Sequence, residues 1–334
     1  MTFATRHGRL RNLVFTAVLF TALCTAAEAQ QTNKIPLVGY VSSNTPSSPG
    51  PLLGAFRQGL RDLGYIEGRN IVVEYRYTEG ISGRAPSLIT ELLQLKVDLL
   101  VIPNLPAMLA AKQATKTVPI VIVVNADPVA VGLVDNLPHP GGNITGLTTL
   151  SRELSGKRLE LLTEVLPRAS LVGVLRQTGS PNAIIGFEEY EAAARALKIE
   201  LQSVEVRRDN PDLDIAFQTA VKARVHALVT ITGSSLFGLQ KEITQLARKN
   251  RLPSIFEGNT WVESGGLMSY SADDLALYRR VAIYVDKILK GAKPGDLPIE
   301  QPTKFELVIN LKTAQQIGLT IPRSVLARAD RVIK

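Results

Sequence analysis

The chain has 334 residues, 45% of them hydrophobic and 20% charged, with a formal charge of +8. That length and apolar content can build one or two sizeable cores. Cys24 is the sole cysteine and sits near the start, so the rest of the chain is barred from disulfides, thiolate nucleophiles and cysteine-based metal sites. The basic residues are scattered, with no aromatic-basic interleaving, and nucleic acid is not an expected partner. A basic surface meeting an anionic membrane or protein stays open.

Arg6, Arg9 and Arg11 precede an apolar stretch from about Leu13 to Cys24, and Ala27-Glu28-Ala29 places small residues where a signal peptidase reads. Residues 1–29 are therefore expected to be a cleaved signal peptide, and the protein periplasmic. A dozen apolar residues fall short of the roughly 20 that a spanning helix needs. Removing this segment takes away three arginines and one glutamate and leaves a charge of +6.

Next, "KIPLVGYVSS" predicts a strand, and "PLLGAFRQGLRDLGY" a helix that Gly64 ends. "NIVVEYRYTEG", "LLVIPN" and "VPIVIVV" predict further strands, alternating with helices in "SLITELLQLKVD" and "PAMLAAKQATK". The rhythm restarts beyond Pro138, Pro140, Gly141 and Gly142. "GKRLELLTEVLP", "NAIIGFEEYEAAARALK", "DLDIAFQTAVKA" and "LFGLQKEITQLARKN" predict helices between the strands "LVGVLRQ", "IELQSVEV", "HALVTIT" and "LPSIFEG". Two such series imply an α/β chain of two Rossmann-like lobes with parallel sheets. "GGLMSYS" and the helix after it are expected to return to the first lobe and "FELVIN" to the second, giving about three hinge crossings. The boundaries are then 30–147 with 262–292 for the first lobe and 148–261 with 293–334 for the second.

Open α/β sheets bind ligands beyond the carboxyl ends of their strands. Those ends offer Ser42, Ser43, Asn104 and Asp127 in the first lobe, and Arg176, Asn182, Thr232, Ser234 and Glu257 in the second. Small hydroxyl, amide and carboxyl groups suit a small polar ligand, but they also cap helices, and both readings stand. Arg176 could hold a carboxylate by its planar fork or form a surface ion pair. Glu257 and Asp127 could receive an amine, although Asp127 before Pro128 could equally form a turn, and Trp261 and Tyr270 are candidate aromatic walls or ordinary packing. No nucleophile elbow, zinc-protease helix, phosphate loop or dinucleotide fingerprint occurs, so no enzyme activity, metal or cofactor is expected. His139 and His226 lack partners at ligand spacing.

The stretch "VNADPVAVGLVDNLPHPGGNITGLTTL" carries a distinctive spacing of Asp-Pro-Val, Leu and Pro-Gly-Gly-Asn before Thr-Gly. With "SGGLMSYSADDLALYRRVAIYVDKILKG" and "FELVINLKTAQQIGLTIP", it resembles the exported solute-binding proteins of ABC transporters, in the group with tryptophan- and tyrosine-binding members. The resemblance spans the whole chain after the leader. It implies a type I periplasmic binding protein whose lobes, joined by three hinge strands, close on a ligand, with Gly146–Leu150 as the first crossing. It also implies a small amino acid or carboxylate-like ligand, an ABC permease as partner and a monomeric chain. Ser42, Asn104, Asp127, Asn182, Thr232 and Tyr270 carry over as approximate ligand contacts. Arg176 departs from the neutral residue expected there and favours an anionic ligand. A periplasmic sensor or scaffold reporting to a membrane receptor is the alternative on the same fold.

Overall fold

The computed structural model describes residues 34–149, 154–179, 181–207, 211–231 and 234–334. The leader expected over 1–29, the end of the expected first crossing at Leu150, and Thr232 lie outside the described residues. No helix among the described residues is long and apolar enough to cross a membrane.

In the first half β1 (Leu37–Ser42), α1 (Gly50–Asp62), β2 (Val72–Tyr77), α2 (Ala85–Gln94), β3 (Leu99–Ile102), α3 (Leu105–Ala114), β4 (Ile120–Val124) and β5 (Ile144–Thr148) follow one another. The strands form one parallel sheet in the order β2-β1-β3-β4-β5. Every residue of β3 and β4 is buried, as a parallel sheet covered on both faces demands. Alternation then divides their side chains. Val38, Tyr40, Leu99, Val101, Val121 and Val123 face one core, with Phe56 and Leu60 of α1. Val41, Leu100, Ile102, Ile120, Ile122 and Val124 face the other, with Ile89 of α2 and Met108 of α3.

The second half runs α4 (Ser155–Val165), β6 (Leu171–Gln177), α5 (Pro181–Leu197), β7 (Glu200–Val206), α6 (Leu213–Lys222), β8 (Ala227–Thr230), α7 (Ser234–Gly238), α8 (Gln240–Lys249), β9 (Ser254–Phe256) and α9 (Asn259–Glu263). It continues with β10 (Met268–Ala272), α10 (Asp274–Leu289), β11 (Phe305–Asn310), α11 (Leu311–Gln316), α12 (Arg323–Leu326) and β12 (Arg331–Ile333). The second sheet has the order β12-β11-β10-β9-β8-β6-β7, parallel except where β11 runs against β10. The α/β, two-lobe expectation holds.

Two local expectations change. The strand in "GGLMSYS" does not return to the first lobe: β10 pairs with β9 and β11 in the second sheet. Its alternation suits either sheet, and in the second sheet its hydroxyls find a partner ten and twelve residues back. The Ser269 and Ser271 hydroxyls donate to Asn259 Oδ1 at 2.9 and 3.1 Å, while Met268 joins the second lobe's core. Only the following helix, α10, packs on the first lobe, along α1. The second change concerns Gly146–Leu150, expected to be a crossing. Gly146 to Thr148 belong to β5, the fifth strand. Gly146 has φ +143°, and a Cβ there would stand 2.1 Å from the Ile122 carbonyl oxygen, so only glycine lets β5 lie against β4.

The chain therefore passes between the sheets after Thr148, at Ala272–Asp274, and between Glu300 and Phe305. Ahead of the last passage, residues 297–300 run beside β5. Thr148 N donates to Glu300 O at 2.9 Å, Glu300 N to Gly146 O at 3.0 Å, and Tyr284 Oη to Pro298 O at 2.7 Å. Arg280 clamps the Glu300 carboxylate and holds its pKa below the usual range.

The α1–α10 seam depends on Gly59, where a Cβ would meet the Arg279 carbonyl oxygen at 2.4 Å. Gly59→Ala gains helix propensity but forces the helices apart. A net loss of about 1–2 kcal/mol is expected, read as a lower urea midpoint with an unchanged slope.

Candidate functional site

Each passage between the sheets leaves or enters at the carboxyl edge of strands: Thr148 ends β5, Ala272 ends β10, and Phe305 opposite Ala272 begins the antiparallel β11. The carboxyl edges of both sheets thus lie on the side where the lobes are joined. Loops after β1, β3, β4, β6, β8 and β9 converge there, which makes the interlobe cleft the candidate site.

In the first lobe Ser42 is buried, and its Oγ accepts from Asn44 N at 3.1 Å. Ser43 is half-buried, and its carbonyl accepts from Gly80 N at 2.9 Å. Asn104 caps α3: its Oδ1 accepts from Ala107 N at 3.0 Å, while Nδ2 donates to Val41 O at 3.4 Å. Asp127 is exposed and turns the chain, its Oδ1 accepting from Val129 N at 2.8 Å. Capping and turn formation therefore occupy Asn104 and Asp127 in this structure.

In the second lobe Asn182 and Ser234 lie in the first turns of α5 and α7, and their side chains are outside the described residues. Arg176 is engaged with the neighbouring strand. Its Nε donates to Ser203 Oγ and its Nη2 to Glu205 Oε1, both at 2.7 Å, and its guanidinium lies 4.6 Å from the Phe187 ring centre. Trp261, a candidate wall, is instead 1% exposed and stacks on Phe256 at 4.9 Å inside the core. His226 accepts backbone N–H groups from Ser170 and Leu171.

Glu257 and Tyr270 are brought together by a residue that the sequence reading passed over. Arg158 of α4 is fully buried. Its Nη1 lies 3.7 Å from Glu257 Oε1, and its Nε donates to the Tyr270 carbonyl at 2.9 Å, so one guanidinium joins the end of β9 to the middle of β10. The Tyr270 ring, half-buried, lies 6.2 Å from that of Phe305. Tyr190, also fully buried, stands beside the pair, and burial pushes its hydroxyl up to about 12 against the pull of Arg158. A signal for Arg158 did exist. It occupies the same helical stripe as Leu161, Leu162 and Val165, where an exposed basic residue has no place.

This architecture, two α/β lobes joined at their strand ends, is that of type I periplasmic binding proteins. Residues 51–333 match the family model of ABC transporter substrate binding proteins, and the chain belongs to that family. A conserved domain protein from Vibrio cholerae superposes with a TM-score of 0.81 at 30% identity, covering 90% of this chain and all of the other. A Streptococcus pneumonia ABC domain in complex with L-Trp gives a TM-score of 0.76 at 26% identity, over 89% of this chain and all of its own. A tyrosine-binding protein from Clostridioides difficile is 26% identical over 265 residues, 79% of this chain and 75% of that protein. The family consists of solute-binding proteins and not of enzymes.

Removing Arg158 strands Glu257 in a nearly dry site. Arg158→Ala should cost about 3–5 kcal/mol in urea unfolding, and adding Glu257→Gln should recover part of that loss. Arg176→Ala, which breaks a half-exposed pair, should cost less than about 1 kcal/mol in the same assay.

Proposed function

We propose that this protein captures an amino acid with an aromatic side chain, or a closely related carboxylate, between its lobes and delivers it to the permease of an ABC transporter. The observation that carries the reading is the meeting of both sheets' carboxyl edges at three crossings, the arrangement that two half-sites on hinging bodies would require. Contacts from both lobes to one ligand stabilise the closed arrangement, and the crossings absorb the dihedral change. The tyrosine-binding and L-Trp-bound relatives support an aromatic amino acid. Glu205 already answers the charge of Arg176, which weakens the argument for a wholly anionic ligand.

Ser42, Ser43, Asn104, Asp127, Asn182, Thr232, Ser234, Glu257 and Tyr270 are the proposed ligand-facing set. Asn104 and Asp127 would offer their remaining polar capacity, and Glu257 acts through its pairing with Arg158. In this reading residues 1–29 direct export, and the monomeric protein works outside the cytoplasmic membrane.

Calorimetric titration of refolded protein with tyrosine, tryptophan, phenylalanine, leucine and benzoate tests the proposal. One equivalent of an aromatic amino acid should bind, and at a hundredfold excess over its Kd it should add about 2.7 kcal/mol of stability. Absence of heat and of any melting shift across the panel, with folded protein, rejects the ligand class.

A further inference from the structure

The second crossing carries a carboxyl group in an unusual place. Asp274 is the first residue of α10, which packs along α1 and over β4 and β5 of the first lobe. Its carboxyl, however, lies against the second lobe. A Cβ built on Gly258, in the loop after β9, would stand 2.8 Å from Asp274 Oδ2. The side chain is thus attached to one lobe and seated on the backbone of the other, one residue from Glu257.

The charges around it are mostly of its own sign or already engaged. Asp273 precedes it and caps α10 through Ala276 N at 3.0 Å. Glu257 acts on it from the end of β9, and Arg158, the cation that acts from α4, directs its nitrogens to Glu257 and to the Tyr270 carbonyl. Tyr278, one turn along α10, is buried and its pKa is raised by that burial. Across a cavity of about 220 Å³ that Asp274 borders, the neighbours are similarly occupied. Glu263 pairs with Arg331 at 2.8 Å, Glu306 accepts from Asn259 at 3.2 Å and pairs with Lys304 at 3.1 Å, and Asp330 accepts from Leu307 N at 2.9 Å.

We propose that Asp274 makes the hinge proton-sensitive: the neutral carboxyl favours the lobe arrangement seen here, and its ionisation favours an arrangement that releases it from Gly258 and Glu257. Burial, with repulsion from Asp273 as a second cause, pushes this carboxyl up to about 7. A carboxyl freed by lobe movement returns toward the ordinary value near 4. The sign follows. A raised carboxyl pKa opposes its own burial above pH 7, and the opposition fades as pH falls from about 7 toward 4. This device is independent of which solute the cleft takes.

Spin labels on Ile66→Cys in the first lobe and Ile215→Cys in the second, both at exposed positions, report the interlobe distance in a Cys24→Ala background without added ligand. The distance distribution should shift between pH 5.5 and pH 8 by about tenfold or more in the ratio of arrangements, with a midpoint near neutrality. Asp274→Asn should hold the low-pH distribution at both values. A wild-type distribution indifferent to pH, or a transition that survives in Asp274→Asn, overturns the proposal. Carbon-13 titration of the Asp274 carboxyl in the unsubstituted chain is the second measurement, needed should the variant fold poorly. A midpoint near 4 there also overturns it.

Discussion

A parallel strand cannot be joined to its neighbour by a hairpin, because the chain must return to the starting edge before the next strand begins. Every other feature of this molecule depends on that constraint. It sets helices on both faces of each sheet, buries β3 and β4 completely, and leaves the strand-to-helix loops, with free helix starts, on the carboxyl edge. When two such sheets are linked through those edges, polar loop residues from both are gathered on one side without any need for a sequence motif.

The linkage is asymmetric. β11 enters beside β10 in the opposite direction, and that reversal lets the chain visit the first lobe through α10 and residues 297–300 and then come back to the second. The Arg280–Glu300 clamp and the Tyr284 hydrogen bond tie α10 to residues 297–300, and the backbone bonds of Glu300 with Gly146 and Thr148 fasten the excursion to β5 of the first lobe. In the second lobe Arg158 ties α4 to the end of β9 and the middle of β10. A guanidinium buried so completely costs desolvation and is tolerated because a carboxylate and a carbonyl answer it. Its effect is to hold the end of β9 and the middle of β10 against α4.

Much of the site's position was legible in the sequence and much of its chemistry was not. Strand ends could be read from apolar runs that stop at Ser42, Asn104, Asn125 and Gln177, and the structure ends β1, β3, β4 and β6 within two residues of those places. The use of the side chains was legible only where the partner is close in sequence. The cap made by Asn104 and the turn made by Asp127 use N–H groups three and two residues on and were open readings from the start, whereas Arg176 answers Glu205 on the next strand, 29 residues away, which sequence spacing does not show. For Trp261 the sequence left cleft wall and ordinary packing open, and the structure gives packing, its ring filling the core against Phe256.

By itself the sequence determined the α/β class, the two series of strands and helices, and the strand ends that make up the candidate edge, because periodicity and glycine-proline punctuation are local properties. Only the tertiary structure decided that β10 belongs to the second sheet while α10 covers the first, that Gly146 lies within a strand, that Arg158 pairs with Glu257, and that Asp274 sits against Gly258. These depend on pairings between residues far apart in the chain. A strand of alternating pattern fits either sheet, and in the second the hydroxyls of Ser269 and Ser271 find Asn259; a charged residue on an apolar helix face declares its role only when its counter-charge arrives from another element.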